Sequence, residues 1–314
     1  MSFAETKWVW LNGKFVPWSD ANFHVSAHGL HYGSGVFEGV RCYETADGPA
    51  VFRLDDHLQR LYASAEVYGL EIPFTREELA EATCELIERN HFSSCYVRPI
   101  CFYGSQSLGL HPRNCPIEVA ILAWPWAPYL GAEGLQNGVR VTVSPWKKFH
   151  SQMMPTTAKA CGQYLNSILA VRDAVKRGFD EALLLNAEGQ VAEGSGENLF
   201  IVSGGKIVTN DDRHSILLGI TRDCVIRIAR DLGYLVEARA IRLHDLLTAD
   251  EAFVTGTAAE VTPIREVDNS RIGDGMPGAI TAQIQKLFFD AVAGRALRYQ
   301  HWLTPIGRAS EVAV

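Results

Sequence analysis

Many common chemistries have no motif in this 314-residue chain. There is no GxxxxGKS/T phosphate loop, no HExxH zinc helix and no GxSxG nucleophile elbow. Gly194-Ser195-Gly196 begins like a dinucleotide fingerprint but lacks the third glycine. The seven cysteines contain no CxxC, so neither a zinc ribbon nor a thioredoxin-type pair can form. They read as free thiols of a reducing cytoplasm. There is no excess of positive charge: Lys+Arg 29 against Asp+Glu 36 gives net −7. That argues against a broad nucleic-acid surface but leaves room for a small anionic ligand. The most apolar stretch, Ile117 to Leu130, is cut by Pro125 and Pro128 and is too short to span a membrane. Met1 to Trp10 lacks the basic and then apolar pattern of a signal peptide. A cytoplasmic protein that binds neither nucleic acid nor membrane is expected. His24, His28 and His31 are the only close histidines. The glycines at 29, 33 and 35 predict a loop there, and no carboxylate or cysteine completes a ligand set, so no metal is expected.

What is present suits a globular chain of about two domains. A hydrophobic fraction of 47% with 21% charged residues is enough for a large core. Trp8 to Val16 reads as a hairpin around Asn12-Gly13. Leu54, Leu58, Leu61, Ala65 and Tyr68 fall on one helical face. A second helix starts at Thr75, with Glu78 completing a capping box. Cys95 to Tyr103 and Ile117 to Trp124 read as strands. The proline-rich break after Trp124 marks a boundary: residues 1–124 form a small α+β domain, 125–134 a linking loop, and 135–314 a larger α/β domain. In the second half a helix from Cys161 to Arg177 is expected to bury Tyr164, Leu165, Ile168, Leu169 and Val175. Another runs from Thr221 to Leu232. Short strands are expected at Glu181–Leu185, Asn198–Val202, Lys206–Thr209, Glu251–Thr255 and Val261–Val267.

Only eight residues are lysine. Lys147-Lys148 reads as an exposed pair of cations. Lys159 differs, because it sits among small residues, Thr156 to Gly162, just ahead of a helix. Burial there lowers an amine toward the neutral form that a Schiff base needs, although such a lysine is often merely solvated. Three other segments give this lysine a context. Gly219-Ile220-Thr221-Arg222 opens a helix whose free N–H groups suit a phosphate, unless Thr221 is an ordinary cap. Thr255-Gly256-Thr257-Ala258-Ala259 ends a strand in a small-residue loop with further donors. Glu193, flanked by glycine at a strand end, can face a pyridinium nitrogen. Together these are the parts of a pyridoxal-phosphate site.

Those segments, with Val36-Phe37-Glu38-Gly39-Val40-Arg41, Arg60-Leu61, Tyr96-Val97-Arg98-Pro99 and Gly256-Thr257-Ala258-Ala259-Glu260, resemble the class IV pyridoxal-phosphate aminotransferases. The likeness is strongest to the branched-chain type and extends from Trp8 to Phe289. It implies a fold type IV enzyme of the D-amino acid aminotransferase-like architecture. The implied reaction is amino transfer between leucine, isoleucine or valine and 2-oxoglutarate. Lys159 would be the catalytic residue. Arg60, Tyr164, Glu193, Leu217, Ile220, Thr221, Gly256 and Thr257 would hold the cofactor. Phe37, Gly39, Tyr96, Arg98, Trp126, Tyr129, Thr257, Ala258 and Ala259 would bind substrate, joined by Tyr32 and by Leu110 from a loop that reaches a neighbouring subunit. A homo-oligomer, from dimer to hexamer, is implied.

Strand alternation puts Tyr96 and Arg98 on one face. An arginine facing an aromatic pocket needs an anion, either the side-chain carboxylate of glutamate or a structural salt bridge. The loop Gly104 to Leu110 is more polar than the resemblance suggests. Ser195 and Leu218 stand where alanine and proline are expected. The rival readings are a D-amino acid or (R)-amine aminotransferase, an aminodeoxychorismate lyase on the same scaffold, and a non-enzymatic carrier of the cofactor.

Overall fold

The computed structural model describes residues 5–126 and 129–307. The chain divides into two compact units. Residues 5–126, 158–162 and 290–307 make the first, and residues 129–157 and 163–289 the second. The Lys159 segment and the chain after 289, which the sequence reading places in the second domain, therefore group with the first. Backbone pairing is the reason. Phe37 N–H donates to Lys159 O at 3.0 Å, and Val36 bridges to Ala160. At the other end, Leu303–Pro305 pairs with Gly48–Phe52.

The first unit is built on an antiparallel sheet. Its strand order is Leu303–Pro305, Gly48–Phe52, Val40–Thr45, Cys95–Tyr103, Ile117–Trp124, Trp8–Leu11 and Lys14–Pro17. Gly35–Phe37 pairs separately with Cys95–Tyr103. The Asn12-Gly13 turn has both residues at positive φ, 48° and 87°, as a two-residue hairpin loop demands. The helices Leu54–Val67 and Arg76–Arg89 pack on the sheet. Leu58, Leu61, Leu79 and Leu86 meet Val40, Val97 and Ile121 in one core. Each such leucine contributes about 2–5 kcal/mol relative to alanine. The Thr75–Glu78 capping box forms as expected. The predicted loop around His28 is instead a short helix, His28–Tyr32. It ends at Gly33, where φ is 64° and an added Cβ would lie 2.7 Å from Gly162 Cα. That close approach pins the Lys159 segment.

The second unit is a mixed sheet ordered Val191–Gly194, Glu181–Leu185, Val139–Val143, Glu260–Val267, Glu251–Gly256, Asn198–Ser203, Lys206–Thr209 and Val236–Ala238. Leu183, Leu199, Ile201, Val254 and Ile264 lie in its core. The helix Tyr164–Lys176 turns the opposite way from expectation. Its buried residues are Ser167, Ala170 and Ala174, and the two alanines pack with Phe179, Ala182 and Leu184. Small residues let the helix approach the strand closely. Leu165, Ile168, Leu169 and Val175 therefore point outward, between 41% and 65% exposed. The helix Ile220–Asp231 starts one residue earlier than expected, with Gly219 as its cap.

Candidate active site

In the first unit Lys159 is held by its backbone. Its N–H donates to Ser64 Oγ at 3.0 Å and its carbonyl accepts from Phe37 N–H. The amine lies 5.1 Å from the centre of the Phe37 ring. Burial, then the nearby Arg60 charge, lowers it to about 8. Beside it sits a charged cluster in which the sequence reading gave a role only to Arg60. Glu38 is completely buried. It accepts Arg60 Nε at 2.6 Å, Arg60 Nη2 at 2.9 Å and His57 Nδ1 at 2.7 Å. A carboxylate only accepts, so His57 carries its proton on Nδ1. Burial alone would push the Glu38 carboxyl up. Arg60 and His57 reverse this and hold it well below the usual carboxylate range. His57 is itself lowered, mainly by burial. His57 and Arg60 sit three apart on Leu54–Val67, so helical spacing alone could have paired them.

Strand Cys95–Tyr103 presents Tyr96 and Arg98 on one face, as alternation requires. The Arg98 guanidinium is 4.5 Å from the Phe37 ring centre, 5.4 Å from Tyr96 and 5.9 Å from Trp124. Its Nη2 reaches Tyr96 Oη at 3.4 Å, and its buried Nε has no hydrogen-bond partner. Among the described residues no carboxylate is paired with it. Trp126 packs edge-on to Tyr96 at 4.3 Å. A Cβ at Gly39 would lie 1.8 Å from Tyr96 Oη, so only glycine lets that ring sit there. Tyr32 and Leu110 are not part of this cluster. Tyr32 donates to Leu108 O at 2.7 Å on the outside of the unit, and Leu110 is 85% exposed.

The second unit collects the remaining candidates. Glu193 Oε2 accepts Leu217 N–H at 3.0 Å, and Oε1 meets Lys148 Nζ at 2.6 Å. Lys148 is thus a nearly buried partner of Glu193 and not the exposed cation the sequence suggested. Asn198, also missed, spans the approach to the helix at Ile220. Its Nδ2 donates to Leu217 O at 2.8 Å and its Oδ1 accepts Gly219 N–H at 3.0 Å. Gly219 makes no side-chain cap, and Thr221 lies inside the helix, so this end suits an anion. Thr257, Ala258 and Ala259 form the turn after Glu251–Gly256. A Cβ on Gly256 would lie 3.2 Å from Gly196 O, which places this turn against the Gly194–Glu197 loop. Thr255 Oγ1 is buried without a partner. Tyr164 is the first residue of its helix. Tyr129 lies by Ser195, and burial followed by the Glu197 and Glu181 charges raises its hydroxyl. Among the described residues no three His, Cys, Asp or Glu are placed to hold a metal. Nor is any helix long and apolar enough to cross a membrane.

The chain is similar to known proteins over most of its length. Residues 35–267 match the family described as Amino-transferase class IV. A branched-chain-amino-acid aminotransferase of Pseudomonas aeruginosa is 45% identical over 296 residues, 94% of this chain and 96% of that protein. A T.th. branched-chain amino acid aminotransferase complexed with N-(5'-phosphopyridoxyl)-L-glutamate superimposes with a TM-score of 0.91 at 47% identity, covering 96% of this chain and 99% of that one. The branched-chain aminotransferase of Thermoproteus uzoniensis with norvaline gives 0.92 at 44% identity, covering 96% and 99%. With its family profile matched over most of its length, the chain belongs to the class IV aminotransferases.

Proposed function

We propose that the protein transfers amino groups between branched-chain L-amino acids and 2-oxoglutarate, using pyridoxal phosphate. Arg98 is the observation that carries this reading. A guanidinium set among Phe37, Tyr96 and Trp124, with no carboxylate partner among the described residues, offers one pocket two kinds of guest. An aliphatic side chain is held by the rings, and the side-chain carboxylate of glutamate or 2-oxoglutarate by Arg98. The relatives' names point the same way.

The residues also suit the cofactor. The second unit has an uncapped helix end at Gly219, a buried unpartnered Thr255 hydroxyl and a carboxylate at Glu193 backed by Lys148. Ile220, Thr221 and Thr257 would hold its phosphate, a role the resemblance also gives to Arg60. Glu38 occupies the Nε–Nη2 edge of Arg60 and so fixes the plane of the guanidinium. Glu193 would hold a proton at the ring nitrogen. Tyr164 would donate to the phenolic oxygen, and Leu217 would pack on the ring. When bound, pyridoxal phosphate supplies the carbonyl that receives the amino group and a ring that takes up the electron pair released at Cα. Lys159 would anchor the cofactor through Nζ, and its amine, lowered by burial, would carry the Cα proton. The 256–259 turn would offer N–H groups to the substrate α-carboxylate.

A homo-oligomer, at least a dimer, belongs to this reading. The outward apolar face of Tyr164–Lys176 and the exposed Tyr32, Leu108 and Leu110 support it. Tyr32 and Leu110 would then serve a neighbouring copy's pocket. The test is product formation from L-leucine and 2-oxoglutarate, with D-alanine, an (R)-amine and aminodeoxychorismate alongside. Leucine turnover that requires 2-oxoglutarate is expected. Turnover only of D-alanine or the (R)-amine, or pyruvate release from aminodeoxychorismate without an acceptor, would replace the proposal with one of its rivals.

A further inference from the structure

Ser195 lies between Tyr129, a residue read as lining the substrate pocket, and a group that the proposed chemistry does not explain. On one side is Tyr129, whose hydroxyl meets the Ser195 hydroxyl. On the other is Glu181, the first residue of Glu181–Leu185, completely buried. Its Oε1 accepts Ala182 N–H at 2.6 Å, and its Oε2 has no hydrogen-bond partner. The amide and hydroxyl of Ser195 lie against the same carboxyl. An alanine at 195 would leave Tyr129 without this contact.

The surroundings favour the neutral acid at Glu181. Its cross-strand neighbour is Val141. The helix packed on its strand turns Ser167, Ala170 and Ala174 inward, none of them titratable. The charged groups facing the Tyr129 hydroxyl are Glu197 and Glu181, both acidic. Glu197 already accepts Gly196 N–H at 3.0 Å. A buried carboxylate with one oxygen unpartnered, near a second carboxylate, carries an uncompensated charge. Burial accordingly raises Glu181 well above the usual carboxylate range, with the Ala182 amide and Ser195 offsetting only part of the rise. Once ionised, the Glu181 carboxylate draws the single Ser195 hydroxyl proton to itself and competes with Tyr129 for it.

We propose that Glu181 and Ser195 form a latch that seats Tyr129, and that this latch sets how tightly the enzyme grips the substrate side chain. The proposal rests on the reading above, in which Tyr129 lines the substrate pocket. Ser195 and Glu181 are positioning residues: they act through Tyr129 and touch no reacting atom.

The test uses the holoenzyme and its Ser195→Ala, Ser195→Thr, Tyr129→Phe, Ser195→Ala/Tyr129→Phe and Glu181→Gln variants. Loss of one hydrogen bond predicts a rise of about 3- to 10-fold in KM for L-leucine in Ser195→Ala, with kcat within about twofold. Ser195→Thr restores the wild-type KM. Tyr129→Phe matches Ser195→Ala, and the double variant goes no further, as two parts of one contact require. Wild-type KM rises from about pH 6.5 to about pH 8.5 as Glu181 ionises, and Glu181→Gln removes that rise. A wild-type KM in Ser195→Ala, an additive double variant, or an unchanged pH profile in Glu181→Gln overturns the latch. Should Glu181→Gln fail to fold, the Ser195 and Tyr129 cycle decides alone. Amide hydrogen exchange in the peptide carrying Tyr129 needs no substrate. It quickens in Ser195→Ala if the latch exists and stays at the wild-type rate if it does not. A holoenzyme that ignores L-leucine while showing the quickened exchange would refute the substrate reading and leave the latch standing.

Discussion

Replacing Glu38 by glutamine removes one charge and keeps the shape. Four donors converge on Glu38: Arg60 Nε at 2.6 Å, Arg60 Nη2 at 2.9 Å, His57 Nδ1 at 2.7 Å and Gly39 N–H at 3.2 Å. Glutamine has one acceptor oxygen, and its NH2 would face another donor whichever way the amide turns. Glu38 is completely buried and the Arg60 side chain is 16% exposed, so water screens little of the loss. Breaking a buried pair of this kind costs about 3–5 kcal/mol. Urea unfolding of the apo protein near pH 7 should show that loss as a lower midpoint at unchanged slope. The pH dependence has a definite sign. Arg60 and His57 hold the folded Glu38 carboxyl below its ordinary value of 4.5. Its stabilisation is therefore complete above that value and declines only as pH falls toward the folded one. The gap between wild type and variant should be the same at about pH 7 and about pH 5. Arg60, released from its fixed plane, should also bind pyridoxal phosphate about 10- to 100-fold more weakly, read by fluorescence titration. A stability loss under about 1 kcal/mol, or a gap that closes between those two pH values, refutes the role given to this cluster.

Three other substitutions test separate parts of the site. Lys159→Met abolishes the bound chromophore and turnover, yet stabilises the apo protein by up to about 3 kcal/mol near neutrality, because the buried amine is lowered from 10.5 to about 8. The wild-type deficit is absent above about pH 10.5 and grows as pH falls toward 8, so the two urea midpoints should converge at high pH. Arg98→Ala raises KM for 2-oxoglutarate about 10- to 100-fold and that for L-leucine much less; equal losses would mean that Arg98 binds a group common to both. Asn198→Ala leaves Leu217 O and Gly219 N–H without their partner, at a cost of about 1–3 kcal/mol, and weakens cofactor binding; an unchanged Kd for pyridoxal phosphate would deny Asn198 its part in shaping the helix end.

Local signals carried much of the fold. The Asn12-Gly13 turn, the Thr75–Glu78 capping box and the strands Cys95–Tyr103 and Ile117–Trp124 are where short-range chemistry puts them. The helix Tyr164–Lys176 shows the limit of periodicity. Its leucines and isoleucine mark an apolar face, but its alanines make another, and packing against Glu181–Leu185 chose the alanines. Lys148 misled for a related reason. Two adjacent lysines look solvated, and only the fold brings one of them within 2.6 Å of Glu193. Lys159 and Arg98 stand out as candidates because few lysines sit among small residues and few arginines alternate with aromatics. Glu38, Asn198 and Ser64 were not, since each acts on a partner more than 15 residues away. The grouping of residues 158–162 with the first unit depends on backbone bonds to Gly33 and Phe37 that no local pattern announces.

The most direct test of the whole account is the visible spectrum of the purified holoenzyme, taken before and after L-leucine is added without an acceptor. The account predicts a yellow protein that L-leucine bleaches and 2-oxoglutarate restores, so that each half of the transfer is seen separately. A yellow protein whose spectrum L-leucine leaves unchanged would contradict the substrate assignment. A protein that stays colourless with added pyridoxal phosphate would contradict the roles given to Lys159 and Glu193.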